Sequence, residues 1–238
     1  MKLTADLIKN SPTYLNPIKD RELDLSNNHI TLIENLGATR DLNDTLNLCS
    51  NSIRVLGNFP ILTRLRSLYL SSNRIAAIDH RLPAQLPNLV SLVLTSNDIE
   101  ELKVLEPLRE LARLEHLSLY GNPVMTKPHA RLWCVWRFPS IRVLNFEKVS
   151  QAERAEAKGL FETENGKPSI LALEILAIEA PSADNTFEPG EGLDLLDSDD
   201  KMNVDRGSSA SANAQAITDI KAKIRDEMSQ IQAMEEFI

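Results

Sequence analysis

The residues that could carry out chemistry in this chain are few and scattered. Its histidines and cysteines are His29, His80, His116, His129, Cys49 and Cys134. No histidine pair has metal-site spacing, and no Cys-x-x-Cys, Gly-rich phosphate loop, Gly-x-Ser-x-Gly or His-Glu-x-x-His motif is present. Asp199 and Asp200 belong to an acidic run rather than to a catalytic carboxylate pair. The sequence therefore predicts a protein without catalytic activity, bound metal or cofactor.

Asparagine is the polar residue that does recur at regular spacing. It occupies one position of the template Leu-x-Leu-x-x-Asn-x-(Ile/Val), which begins at Leu23, Leu46, Leu68, Leu92 and Leu117. Successive copies are 23, 22, 24 and 25 residues apart, and a weaker sixth copy, with Leu144 and Phe146, lacks the asparagine. This period predicts an α/β leucine-rich-repeat solenoid with a curved parallel sheet, five to six repeats and helical caps at both ends.

The template also predicts how each repeat is held. The two leucines alternate along a short strand and point inward, and the isoleucine covers the same core. We expect each asparagine to turn inward and to satisfy backbone groups of the next turn, because an unmet buried polar group costs about 1–3 kcal/mol. Aspartate or leucine would serve poorly at Asn73. Short helices or 3₁₀ turns are expected between strands, among them one helix over residues 107–114.

The two ends of the solenoid need caps over the last apolar layer. Residues 1–20 are predicted to form the first cap, with a helix that starts after Thr4 and turns Leu7 and Ile8 inward. Residues 21–149 hold the repeats and a second cap, which runs over residues 131–146 and contains both tryptophans and two of the six phenylalanines. We interpret these aromatic residues as a lid. Stacking on nucleotide bases is the alternative, because three arginines flank them: Arg131, Arg137 and Arg142.

Beyond the repeats the composition changes. Residues 1–159 hold 20 Lys and Arg against 17 Asp and Glu, whereas residues 160–238 hold 6 against 17. Residues 150–180 are predicted to be helical, 181–216 to be a disordered acidic linker, and 217–238 to be an amphipathic helix. That last helix either lies on the surface or docks on another protein.

Compartment follows from what the chain lacks. Two isolated cysteines cannot build the disulfide-bonded caps of extracellular repeat proteins, which favours a reducing compartment. The first six residues do not resemble a signal peptide, and no apolar run is long enough to span a membrane.

The concave face is the predicted binding surface. The strand positions between the leucines point away from the core. The alternative is that these side chains only expose the sheet to solvent, but an uncovered sheet of this size would then have little purpose. The face is acidic at its first edge, small and polar in the middle, and partly aromatic towards the last repeats. Its residues are Glu22, Asp24, Ser26, Thr45, Asn47, Cys49, Ser67, Tyr69, Ser71, Ser91, Val93, Thr95, His116, Ser118 and Tyr120.

Several segments resemble one family of repeat proteins. Residues 2–8, 20–25 and 33–39 are similar to the N-terminal part of the A-prime proteins of the U2 small nuclear ribonucleoprotein, and residues 121–124 and 131–149 resemble that family's last repeat and cap. The resemblance covers roughly residues 1–178. The tail beyond residue 180 does not share this resemblance, which favours a lineage-specific segment.

The resemblance implies a role in pre-mRNA splicing in the nucleus. Proteins of this family clasp the first helix of an RNA-recognition-motif partner, the B-double-prime protein, in the concave face, and the pair binds a stem-loop of the U2 RNA. On that basis Glu22 and Asp24 are expected to meet basic residues of the partner helix. Weak RNA contacts are expected from Arg142, Lys148 and Arg154.

Three other readings remain open from the sequence. A regulatory repeat subunit of a protein phosphatase has a similar repeat length. An acidic histone-binding nuclear protein would have a longer unbroken acidic run. A scaffold would bind other proteins, such as further spliceosome components, through the 217–238 helix rather than through the concave face.

Overall fold

One sheet runs through all the repeats. The computed structural model of the protein describes residues 2–163 and 165–177. Within these ranges eight strands form a sheet in the order β1-β2-β3-β5-β7-β8-β9-β10, and two more form a small parallel sheet, β4-β6. The strands are β1 (Thr13–Leu15), β2 (Arg21–Asp24), β3 (Thr45–Asn47), β4 (Val55–Leu56), β5 (Ser67–Tyr69), β6 (Ala77–Ile78), β7 (Ser91–Val93), β8 (His116–Ser118), β9 (Val143–Leu144) and β10 (Glu147–Lys148).

The strands of successive repeats pair in parallel and in register. Leu23, Leu46, Leu68, Leu92 and Leu117 stand side by side, and Leu144 of the sixth copy continues the row. All six are buried, and they pack in one continuous core with the isoleucines of the template. The predicted α/β leucine-rich-repeat solenoid with a parallel sheet is therefore confirmed.

Short helices or 3₁₀ turns lie in most of the segments between the strands of the main sheet, as expected, but the segment between β3 and β5 contains only strand β4. The α-helices are α1 (Ala5–Asn10), α2 (Leu82–Gln85), α3 (Ala130–Arg137), α4 (Gln151–Phe161) and α5 (Ile170–Ala177), and the 3₁₀ helices are Leu36–Thr39, Leu102–Glu110 and Pro123–Thr126.

The helix predicted at 107–114 is wrong in its bounds. The structure has a 3₁₀ helix over Leu102–Glu110, with Pro107 inside it. The physical reason is the spacing of the buried leucines, which recur every third residue and continue beyond the helix end. A 3₁₀ helix returns to the same face after three residues, so this spacing suits it. The leucines are Leu102, Leu105, Leu108, Leu111 and Leu114.

The template asparagines link each repeat to the one before it. The Asn73 amide donates to the carbonyls of Leu48 (2.9 Å) and Leu70 (3.1 Å), and its Oδ1 accepts from the backbone N–H of Ile53 at 3.1 Å. Asn51, Asn97 and Asn122 repeat this pattern. Each of these asparagines forms hydrogen bonds with buried backbone groups, as expected. However, the partners in a neighbouring repeat belong to the preceding repeat and not to the next one.

Both edges of the sheet end in an antiparallel hairpin that the sequence did not predict. Strand β1 pairs with β2 at the first edge, and β10 pairs with β9 at the last. Both outer strands are short and wholly exposed. Their sequences do not alternate between apolar and polar residues, so the usual signal for a strand is missing. They are extended because they pair with β2 and β9.

The caps lie beyond these edges. Thr4 accepts a hydrogen bond from the Leu7 N–H at the start of α1, which buries Ile8. At the other end α3 buries Trp133 against Phe138 in an edge-to-face contact with ring centroids 5.7 Å apart. The second tryptophan, Trp136, is partly buried and stacks on Phe161 of α4 at 5.5 Å.

The aromatic residues of α3 are therefore occupied within the fold. This arrangement favours the lid interpretation over base stacking for those rings, because the buried and stacked faces are not offered to a base. Phe146 is the exception to the predicted lid, since 72% of it is exposed.

Some sequence predictions fall outside the described residues. The linker at 181–216, the amphipathic helix at 217–238 and the last three residues of the helical segment 150–180 are among these. In the described part of the chain, no helix is long and apolar enough to cross a membrane.

An Asn73→Asp substitution should lower the free energy of unfolding by about 2–3 kcal/mol at neutral pH. The carboxylate keeps the acceptor for Ile53 but loses the donors and faces two carbonyl oxygens without a proton to share. Urea denaturation measures this loss. Arg74→Ala, a change at the neighbouring exposed residue, is the control and should remain within about 0.5 kcal/mol of the wild type. Equal stability of the two variants would contradict the proposed role of the amide.

Candidate functional site

The sheet presents three rows of side chains on its concave face. The first row runs in register from Glu22 to Val143, and the second from Asp24 to Ser118. The third row follows the strand ends and contains Ser26, Cys49, Ser71, Thr95 and Tyr120. The structure thus brings together the residues that the sequence placed on this face, although they do not share the same exposure.

Four of the predicted face residues are buried. Thr45 is fully buried and lies 3.4 Å from a carboxylate oxygen of Asp20, and Ser118 bonds with the Thr95 hydroxyl at 2.9 Å. Ser67 and Glu22 are each 7% exposed. Thr45, Ser67 and Ser118 are small side chains on closely spaced parallel strands, so they form the floor of the face beneath their larger neighbours.

Glu22 requires a correction, because it was expected on an exposed acidic rim. Strand β1 covers it, and its two carboxylate oxygens accept from the Tyr14 hydroxyl and the Asn16 amide, each at 3.2 Å. Burial, together with the Glu22 charge, raises the pKa of Tyr14. Glu22 therefore holds the hairpin in place. Asp24, which is half-buried, is the acidic group that remains at this end of the face.

The last repeats form an apolar depression in the concave face. Its volume is about 320 Å³. Burial raises the pKa of Tyr69, so its hydroxyl stays protonated at neutral pH and can act as a hydrogen-bond donor. The lining consists of Tyr69, Ser91, Leu92, Val93, His116, Leu117, Ser118, Val143 and Phe146.

Val143 and Phe146 were not among the predicted face residues. The signal for Val143 was present, because it pairs with His116 in the register that the earlier repeats define. Phe146 had no such signal. The template assigns it to the core, as the second leucine position of the sixth copy.

The three residues predicted to touch RNA differ in their availability. Arg142 is exposed and lies 3.5 Å from a Glu115 carboxylate oxygen, and Lys148 is exposed on β10. The Arg154 guanidinium instead donates to the backbone carbonyls of Pro139 and Ile141, so it holds the cap together. Arg142 and Lys148 are the better candidates for phosphate contacts.

Side chains that commonly bind metals are not clustered in the described residues. No group of three or more His, Cys, Asp or Glu side chains in this part of the chain is arranged to hold an ion. Both cysteines are free thiols, with Cys134 buried in the cap and Cys49 partly exposed on the concave face. Burial raises the pKa of Cys49 and raises that of Cys134 to about 12.

An open sheet built from repeats of 22–25 residues, closed by a hairpin and helices at each end, defines a leucine-rich-repeat protein. A family model described as "Leucine-rich repeat" matches residues 1–175. The U2 small nuclear ribonucleoprotein A' of Aspergillus fumigatus is 46% identical over 205 residues, 86% of this chain and 79% of the relative. The human protein of the same name is 43% identical over 193 residues, covering 81% and 73%.

A solved structure agrees with these relatives. The crystal structure of the Drosophila melanogaster SNF/U2A' complex matches with a TM-score of 0.67 and 46% identity, and it covers 70% of this chain and 95% of that one. The chain belongs to the family of U2 small nuclear ribonucleoprotein A' proteins.

A further relative aligns over nearly the whole chain. The protein of the same name from Mycosarcoma maydis is 39% identical over 240 residues, covering 94% of this chain and 98% of the relative. This alignment extends past residue 180.

The two thiols should differ sharply in reactivity. In the folded protein at neutral pH, N-ethylmaleimide should modify Cys49 slowly and leave Cys134 unmodified, because Cys134 is buried and its pKa of about 12 leaves almost no thiolate. Mass spectrometry of the labelled peptides measures both sites. In denaturant both should react, which serves as the control. Labelling of Cys134 without denaturant would show that the cap opens readily.

Proposed function

We propose that this protein is a non-catalytic subunit of the U2 small nuclear ribonucleoprotein that acts in pre-mRNA splicing in the nucleus. Its concave face binds the first helix of the B-double-prime protein, and the pair binds a stem-loop of the U2 RNA. The observation that carries the proposal is the apolar depression around Tyr69 and His116 on an otherwise polar sheet face. Membership of the A' family and the match to a relative solved in a complex with SNF support it.

The shape of the face suits a helix. Small residues in its middle, such as Ser71, Ser91 and Thr95, leave room for a helical backbone to approach closely. The depression beyond them accepts apolar side chains, and Asp24 offers a negative charge to a basic residue at the other end. An amphipathic helix with one apolar face meets these demands.

The RNA contact is secondary in this proposal. The exposed charges of Arg142 and Lys148 lie beside the last strands, next to the depression where Val143 and Phe146 are. A partner seated in the concave face would place its bound RNA within reach of this edge. Phosphate neutralisation would then add affinity without sequence information.

The other readings lead to different partners. Binding of a phosphatase or of histones is disfavoured by membership of the A' family. Binding of other spliceosome proteins through residues 217–238 is compatible with the proposal, since it uses a different part of the chain.

Affinity purification of the tagged full-length protein from its own cells should recover U2 RNA together with the B-double-prime protein.

Tyr69→Ala should weaken binding of the purified partner about tenfold or more, because it removes an aromatic anchor. Asp24→Asn, which keeps the side-chain acceptor for Ser26 but removes the charge, should mainly slow association and reduce its salt dependence. Titration calorimetry and stopped-flow mixing measure these effects, with Arg74→Ala as control. Recovery of a phosphatase or of histones without U2 RNA would sink the proposal.

The salt dependence of RNA binding tests the basic edge. When Arg142 and Lys148 are both replaced by Ala, the slope of log affinity against log salt for the complex should fall by about 1–2, which corresponds to two phosphate contacts. Arg109→Ala with Arg113→Ala removes two exposed charges from the segment between β7 and β8 and should leave the slope unchanged. An unchanged slope in the first variant would remove Arg142 and Lys148 from the RNA interface.

A further inference from the structure

Phe146 breaks the pattern that every earlier repeat obeys. It stands at the second leucine position of the sixth copy. The corresponding residue of each earlier copy is 0% exposed, whereas Phe146 is 72% exposed. Those earlier residues are Leu25, Leu48, Leu70, Leu94 and Leu119.

The backbone turns this side chain out of the core. Asn145 and Phe146 both adopt the left-handed conformation, with φ of 52° and 67°. These two residues form the two-residue turn of the β9–β10 hairpin, a turn that needs positive φ at both positions. The conformation is nevertheless disfavoured for a bulky residue, so a phenylalanine kept there is a candidate for a functional role. In the earlier repeats the same strand position is extended, and the leucine that follows points inward.

A side chain compensates for the change in backbone. In the preceding repeat the N–H of Leu94 donates to the backbone carbonyl of Ser118 at 2.8 Å. At the last repeat the N–H of Leu119 donates instead to the Asn145 side-chain Oδ1, at 2.7 Å. The N–H of Leu119 therefore keeps a hydrogen-bond partner despite the left-handed turn. Asparagine also tolerates this conformation better than most residues.

The core does not gain from the outward position of Phe146. The end of the core is closed by Trp133 and Phe138, which are buried against each other. The Phe146 ring instead forms one wall of the depression, across from Tyr69 and next to Val143. A large exposed ring in a strained backbone, at the edge of an apolar depression, is suited to contact a partner.

We propose that Phe146 is an anchor residue for the partner helix, whose apolar side chains pack between Tyr69 and Phe146. This inference rests on the proposed function and assigns a specific contact within it. Strand β5, which carries Tyr69, and strand β9, which precedes Phe146, are three strand spacings apart in the sheet, roughly 14 Å. A helix that crosses the strands covers this distance in roughly nine to ten residues. The partner helix therefore carries apolar residues on one face over two to three turns.

The test measures binding of the purified B-double-prime protein to the full-length chain by titration calorimetry. Phe146→Ala should weaken binding about tenfold or more, and Phe146→Leu should retain binding within about threefold, because leucine restores most of the apolar contact. Ile61→Ala, which truncates another exposed apolar residue outside the depression, is the matched control and should bind as the wild type does.

A glycine variant separates binding from folding. Phe146→Gly removes the ring and also relieves the left-handed backbone, since glycine adopts positive φ without strain. It should bind as weakly as Phe146→Ala while its melting temperature stays equal to or above that of the wild type. A purely structural role for Phe146 predicts the opposite, a lower melting temperature in both variants.

The outcomes distinguish this inference from the function on which it rests. If the wild type binds the partner and Phe146→Ala binds equally well, the anchor assignment is overturned and the proposed function stands. If both variants melt well below the wild type, Phe146 is structural and the assignment is again overturned. If the wild type does not bind the partner at all, the proposed function and the anchor assignment fall together.

Discussion

The structure depends on the fact that no repeat satisfies its own backbone. Each buried asparagine amide donates to a carbonyl of the preceding repeat and accepts an N–H from it, as Asn73 does with Leu48 and Ile53. An isolated repeat would leave these groups buried without partners, at a cost that its few leucines could not offset. Stability therefore resides in the interfaces between neighbours, as in other one-dimensional repeat architectures. The even spacing of the strands, and with it the rows of positions on the concave face, follows from the in-register backbone pairing of successive repeats.

The same dependence makes the two ends of the sheet special. A first or last repeat has a neighbour on one side only, so its free edge and its exposed core must be covered by something else. At the first edge a hairpin is fastened by the buried Glu22 carboxylate, and at the last edge a second hairpin lies beside an aromatic helix. At the first edge the Glu22 carboxylate is thus used to close the sheet and not to bind a partner. Strand β1 covers Glu22, whereas Asp24, two residues later on the same strand, stays half-buried.

The last repeat combines closure with recognition. Trp133 and Phe138 close the core, so the phenylalanine at the leucine position is released to the concave face. The Asn145 side chain permits the change by accepting the N–H that a regular strand carbonyl would have accepted. The apolar part of the candidate binding surface therefore lies where the regular repeat ends. The middle of the surface remains small and polar, which is the arrangement expected for a groove that fits a helix.

The sequence by itself determined the repeat period, the fold class, the inward leucines and the row positions of the concave face. These follow from a pattern that recurs five times, so that each copy confirms the others. The structure alone decided which of those positions are exposed, where the 3₁₀ helix runs, that hairpins close both edges, and that Phe146 points outward. The physical reason is that these features depend on neighbours and on a few dihedral angles. The residue pattern of strand β2 alone does not reveal that Tyr14, on a neighbouring strand, covers Glu22. The left-handed turn at Asn145 and Phe146 reverses a side chain without changing the residue pattern from which its direction was predicted.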